Sequence, residues 1–415
     1  MPSRSPASSS ADGPILVVAV SARALTEAVA RSGRPVLAVD LFGDTDTRAA
    51  ARAVAVVAGS LDDGPELGAV LAAGDRLAAA HGEPAGIVVG SGFEHRPAAL
   101  AELAARWPLL GCPPAAVAAV KHPARLAALC AALSIPHPEI AATPPADPDG
   151  WLAKRAGGSG GGHVTPATAD AFAASAGTGA PSPADRTFQR RVDGRAMSAT
   201  LLCDGDGARL VGFCAAAFAP TPSQPYRFGG LAGPVAIDAD LSTEITAAAD
   251  RLARATGLCG LVGLDLVVDG ARWWLIEVNP RPTAALDVLD RGTPPLLALH
   301  LAACMEPHGS SGAVPAWTPP ATIAATALVY APRDGVSVAT DWPDWVADRP
   351  RPGTPVPAGA PVCTVRAEGD DAGARTALLE SRTRRAVALA FGDETTNEND
   401  PARPGTATGT RRRDT

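Results

Sequence analysis

Short apolar runs and helical stretches alternate at the start of the chain, which predicts a parallel α/β sheet. "PILVVAV" reads as a strand, "SARALTEAVARSG" as a helix stopping at Gly33, and "PVLAVDLF" as the next strand. Glycine readily takes the left-handed turn that ends a helix, so the three form a βαβ unit. "GIVVGS" at residues 86–91 adds a strand to the same sheet. "GCPP" at 111–114 breaks the chain, after which one helix from about Pro114 carries Lys121 and another runs through "ARLAALCAAL". Further on, "TFQRRVDGRAMSATLLCDGDGARLVGFCAA" predicts two strands joined by Asp204 to Gly207, followed by a helix near 241–256. In "GLVGLDLVVDGARWWLIEVNPRP" the pair Asp269-Gly270 marks a hairpin turn between two strands. "LDVLDRGTPPLLALHLAACM" closes this part with helix, and a Pro- and Gly-rich bridge spans about 307–320.

These segments divide the chain into an α/β domain at 14–113, a central domain at 114–306 and a small β-rich domain at 321–392. Residues 1–13 and 393–415 are polar and read as disordered tails. A length of 415 residues agrees with two to four domains. Apolar residues make up 47% but aromatics only 4%, so Ala, Val and Leu must fill the core. The net charge of −7 argues against a nucleic-acid partner. Seven cysteines without CxxC spacing read as reduced, buried thiols. The first dozen residues lack an apolar signal segment, and no apolar run nears the ~18 residues of a membrane span. The expectation is a soluble cytoplasmic protein with no membrane partner.

Two constellations carry chemistry. Gly157, Gly158, Ser159, Gly160, Gly161 and Gly162 follow a short strand ending in Lys154 and Arg155. Glycines let backbone N–H groups curl around phosphate oxygens, and an adjacent lysine supplies charge. It is not a Walker A loop, since no Gly-Lys-Ser/Thr follows, and six small residues in a row also read as a linker. The second constellation is Asp265, Glu277 and Asn279. Across the hairpin turn Asp265 can face Glu277, and alternation puts Asn279 on the side of Glu277. Such hard oxygen donors suit Mg²⁺, although an ordinary hairpin with polar residues toward solvent reads the same way. Arg281 follows two positions on, between Pro280 and Pro282.

In this order the elements resemble the ATP-grasp superfamily over about residues 13 to 305. The resemblance implies an ATP-grasp fold with a Rossmann-like domain before it, a lid at about 150–187 and a ligase chemistry. ATP with Mg²⁺ or Mn²⁺ would activate a small-molecule carboxylate as an acyl phosphate, which an amine or similar nucleophile attacks. Lys121 resembles the first nucleotide-binding lysine and Lys154 the second, placed to serve catalysis as well. Gly157 to Gly162 would cover the β- and γ-phosphates. Gln189 would meet the purine amino group, with the backbone of Arg190 and Val192 completing that edge. Asp265, Glu277 and Asn279 resemble the metal ligands, and Arg281 would meet the transferred phosphate.

Two departures stand out: Ala196 occupies the place of a ribose-binding glutamate, and Gly263 that of an arginine in D-alanine ligase-type members. Ser21, Asp40, Ser91 and Phe93 at strand ends are candidates for the acceptor substrate, and His163 for phosphate. Trp342 and Trp345 read as core of the last domain. "LAVDLFGDTDTR" and "RPGTPVPAGAPVCTV" are similar to methylotroph-type members associated with tetrahydromethanopterin or methylofuran biosynthesis. A bicarbonate-using carboxylase and a non-catalytic nucleotide-binding regulator stay open, as does a homodimer.

Overall fold

Four strands, Ala53–Val56, Val36–Asp40, Ile15–Val18 and Gly86–Val89, lie side by side and all parallel at the N-terminal end of the protein. The computed structural model describes residues 12–155, 157–167, 186–305 and 316–392. Both expected tails, save residues 12 and 13, lie outside the described residues, as do 168–185 of the lid span and 306–315 of the bridge. The strands at 15–18 and 36–40 are buried throughout. A sheet covered on both faces needs such unbroken apolar runs rather than alternation. The strand Ala53–Val56 is absent from the sequence reading. Its alanines and valines fit helix and strand equally well, and it is the exposed edge.

An antiparallel sheet of eight strands forms the centre. Its order is Arg272–Asn279, Cys259–Asp269, Arg195–Asp204, Ala208–Phe218, Phe228–Val235, Ala324–Tyr330, Pro361–Glu368 and Val346–Ala347. The helix Ala239–Thr256 packs Leu241, Ile245, Ala249 and Leu252 against one face. Asp238 caps its start by accepting from the N–H groups of Asp240 and Leu241, and Gly257 ends it in the left-handed region. The C-terminal strands therefore extend the central sheet. The sequence reading of residues 321–392 also missed a 20-residue helix, Ala372–Phe391, that ends the described chain. Trp342 is buried in the local core there, with Trp345 packed against it. All seven cysteines are free, and six of them are buried.

A third, smaller antiparallel sheet pairs Ile140–Ala141, Arg186–Arg190, Trp151–Arg155 and Thr165–Pro166. Among the described residues its core is Trp151, Ala153, Ala167 and Phe188, with Ala141 against it.

Candidate active site

The hairpin Cys259–Asp269 and Arg272–Asn279 sets Asp265 directly opposite Glu277. The turn residue Gly270 has φ +61°, which fixes the two-residue connection and hence the register. Asn279 donates from Nδ2 to Asp265 Oδ2 at 3.0 Å. Burial raises the pKa of Asp265, and the neighbouring charge of Glu277 raises it further, to about 6. Burial would do the same to Glu277, but Lys121 and Lys154 hold it below the usual carboxylate range. Two facing acids and an amide oxygen in such surroundings form a donor set that calls for positive charge. Among the described residues no group of three or more His, Cys, Asp and Glu could hold a metal unaided. The set fits Mg²⁺, which takes one or two carboxylates and completes its shell with substrate phosphates and water.

Two lysines supply the charge. Lys121 is the last residue of the helix Pro114–Lys121, is 8% exposed, and forms an ion pair with Glu277 Oε1. Lys154 sits on Trp151–Arg155 opposite Thr187. Gln189 lies two residues beyond Thr187, on the same face as Lys154, and accepts from its Nζ. The other end of the Gln189 amide donates to the carbonyl of Ile276 at 3.4 Å. Expected at the purine, this amide here joins Lys154 to the strand Arg272–Asn279, on the face opposite the core residue Phe188. The Arg190 N–H is also taken, by Glu139 O at 2.8 Å. Its guanidinium lies 5.7 Å from the centre of the Trp151 ring. Val192 follows just past the end of that strand.

The glycine loop is docked. Gly160 O accepts from Phe228 N–H at 2.9 Å. A β-carbon at Gly161 would lie 2.1 Å from Tyr226 O, and φ there is +70°. Only glycine allows the backbones to approach so closely. On the other side a β-carbon at Gly157 would meet His95 of the first domain at 2.4 Å. Next to the loop, Arg155 donates to Asp62 O at 2.8 Å and Asp63 Oδ1 at 2.9 Å. The loop thus bridges the N-terminal domain and the central sheet, with Ser159 near its tip. His163, expected at least as readily in solvent, is half-buried with its ring against Gly158. Burial lowers its pKa, and it lies close enough to Glu277 to feel that charge.

Arg281 pairs through Nε with Glu94 Oε1, a residue the sequence reading passed over. A small pocket of about 30 Å³ adjoins the pair, walled by Phe93, Leu100, Leu110, Cys112 and Val117. That is room for about two waters. The strand-end residues considered for an acceptor also make contacts within the fold. Ser21 Oγ donates to Asp348 at 3.2 Å, Asp40 accepts the N–H groups of Ala22, Phe42 and Gly43, and Ser91 O accepts from Val20 N–H. Phe93 is core, at 2% exposure.

Residues 125–285 match the model of the ATP-grasp domain. Among curated proteins, no sequence matches. Biotin carboxylase from Campylobacter jejuni, solved as a β-γ-ATP complex, superposes with a TM-score of 0.65 at 13% identity, covering 89% of this chain and 90% of that one. L-amino acid ligase from Bacillus licheniformis gives 0.65 at 12% identity over 90% of this chain and 97% of that one. N5-carboxyaminoimidazole ribonucleotide synthetase from Thermus thermophilus gives 0.59 at 15% identity over 91% and 99%.

Proposed function

We propose that this chain, which has the ATP-grasp fold around an ATP-grasp domain, is an ATP- and Mg²⁺-dependent ligase joining a carboxylate to an amine or similar nucleophile. One observation carries the reading: Lys121 and Lys154 converge on the face where Asp265 and Glu277 oppose each other, under a docked glycine loop. Phosphoryl transfer needs positioning and charge neutralisation more than covalent help, and this is a site of that kind. A carboxylate oxygen attacks the γ-phosphorus, ADP leaves, and the nucleophile then displaces phosphate from the acyl phosphate. The cation, held by Asp265, Glu277 and Asn279, would neutralise phosphate charge. Lys121 and Lys154 would bind phosphate oxygens, the loop from Gly157 to Gly161 would exclude water, and Arg281 would face the transferred group. The base would lie near Arg190 and Val192, with Gln189 orienting Lys154.

Placement in one-carbon carrier biosynthesis rests on the resemblance of residues 37–48 and 351–365 alone. The test is ADP release with a panel of amino acids, pterins, furan amines and bicarbonate. A carboxylate plus an amine should release ADP in proportion to coupled product. Release with bicarbonate alone would select the carboxylase instead, and binding of ATP without release under any condition would select the regulator.

A further inference from the structure

Arg281 leaves the catalytic strand between two prolines, and its guanidinium is tied at two of three nitrogens. Nε donates to Glu94 Oε1, and Nη1 donates to Pro282 O at 3.1 Å. Nη2 has no partner among the described residues. Glu94 comes from the other domain, five residues beyond the strand Gly86–Val89. It is 5% exposed, and its second oxygen accepts the N–H groups of Gly92 at 2.7 Å and Phe93 at 2.9 Å. This carboxylate is locked by backbone donors on one side and holds a guanidinium on the other. Burial would raise its pKa, yet Arg281 and Lys121 bring it down to about 2, so it stays ionised.

We propose that Glu94 is a positioning residue: it fixes the plane of the Arg281 guanidinium so that the Nη2 edge faces the anion formed during transfer. The inference rests on the ligase reading above. An unrestrained arginine samples many rotamers, and aiming it in advance removes that reorganisation from the reaction. Binding through Nε leaves one terminal edge open, and backbone N–H groups fix the acid itself.

Chemical rescue separates aiming from domain attachment. Arg281→Ala should cut ADP formation by about 10²-fold or more while calorimetric ATP affinity stays near that of the parent. Methylguanidinium added to Arg281→Ala should restore at least about tenfold of the lost rate, because Glu94 still offers a seat for the cation. In Arg281→Ala/Glu94→Gln the same additive should restore nothing. Glu94→Asp, which keeps the charge but withdraws it by one methylene, should lower kcat with the KM for ATP unchanged, and covers the case in which Glu94→Gln unfolds. Equal rescue with and without Glu94, or full kcat in Glu94→Asp, overturns the proposal while leaving the ligase reading intact. A parent that releases no ADP with any acceptor overturns both.

Discussion

Asp265 and Glu277 stand opposite each other across one hairpin, and the charge of Glu277 raises the proton affinity of Asp265. Lys121 and Lys154 offset the charge of Glu277, while Asp265 carries the larger cost of burial. Burial and the Glu277 charge raise Asp265 above its unfolded value, so its contribution to stability is complete below pH ~4 and is lost as pH rises through about 6. Asp265→Asn should therefore raise the urea midpoint at pH 8 in the absence of Mg²⁺. The same change should remove Mg²⁺-dependent stabilisation and cost turnover about 10²-fold or more. A variant that is less stable at pH 8, or keeps its rate, contradicts the pairing.

Gly161→Ala should separate the loop from the fold. A methyl group there meets the Tyr226 carbonyl at 2.1 Å, so the loop cannot dock as seen. Misplacing the cover by about an ångström should slow turnover on the order of 10²-fold. Limited proteolysis near Ser159 should lose its protection by ATP with Mg²⁺, while the thermal midpoint moves little. Unchanged protection would show that docking through Gly161 is not needed for closure.

His300 makes stability depend on mild acid. It is fully buried, accepts from Leu261 N–H at 2.8 Å through Nδ1, and lies 3.0 Å from Leu110 O through Nε2. Burial pushes its pKa down to about 4, whereas the unfolded chain takes up that proton near 6.5. The unfolded state thus binds more protons between these values, and stability falls as pH drops from about 6.5 toward about 4. The loss should be on the order of 3 kcal/mol over that window. Urea titrations at several pH values should show this slope in the parent and a shallower one in His300→Gln.

Arg23 is a hub between distant segments. It is 2% exposed and binds Asp287 through Nη2 at 2.7 Å and Asp348 through Nε at 3.0 Å. Although burial favours the neutral acid, Arg23 and Arg366 hold Asp287 well below the usual carboxylate range. Arg23→Met would leave the largely buried Asp287 without its main counter-charge, a loss of roughly 3–5 kcal/mol. Denaturant unfolding should show it, with Asp287→Asn in the same background recovering part. If the double variant recovers nothing, the charge account is wrong.

How much of this was legible in the sequence follows from where the information sits. Asp269-Gly270 fixes a hairpin register locally, so the juxtaposition of Asp265, Glu277 and Asn279 could be read from one stretch of chain. Lys154 could be read because strand and glycine loop adjoin. Glu94 could not: its meaning comes from Arg281, 187 residues away, and no local pattern announces such a partner. Its place just past a parallel strand, where ligand sites gather, was the available signal. Gln189 was read from its place along the chain, but the direction of its side chain is set by pairing with Trp151–Arg155. The helix Ala372–Phe391 was hidden by alanine and arginine, which fit any face, and by the proline-rich turns before it.

The ordering of the central sheet also governs when the protein can be finished. The strand Phe228–Val235 is hydrogen-bonded to Ala324–Tyr330, which in turn waits for Pro361–Glu368. During synthesis the nucleotide-binding half emerges first, and its edge strand stays unpaired until Ala324–Tyr330 has left the ribosome. An open edge of that kind recruits other strands, and late non-local pairing is slow. Newly made chains would therefore be most prone to self-association in that interval, after the hairpin Cys259–Asn279 has emerged and before Ala324–Tyr330 covers the open edge.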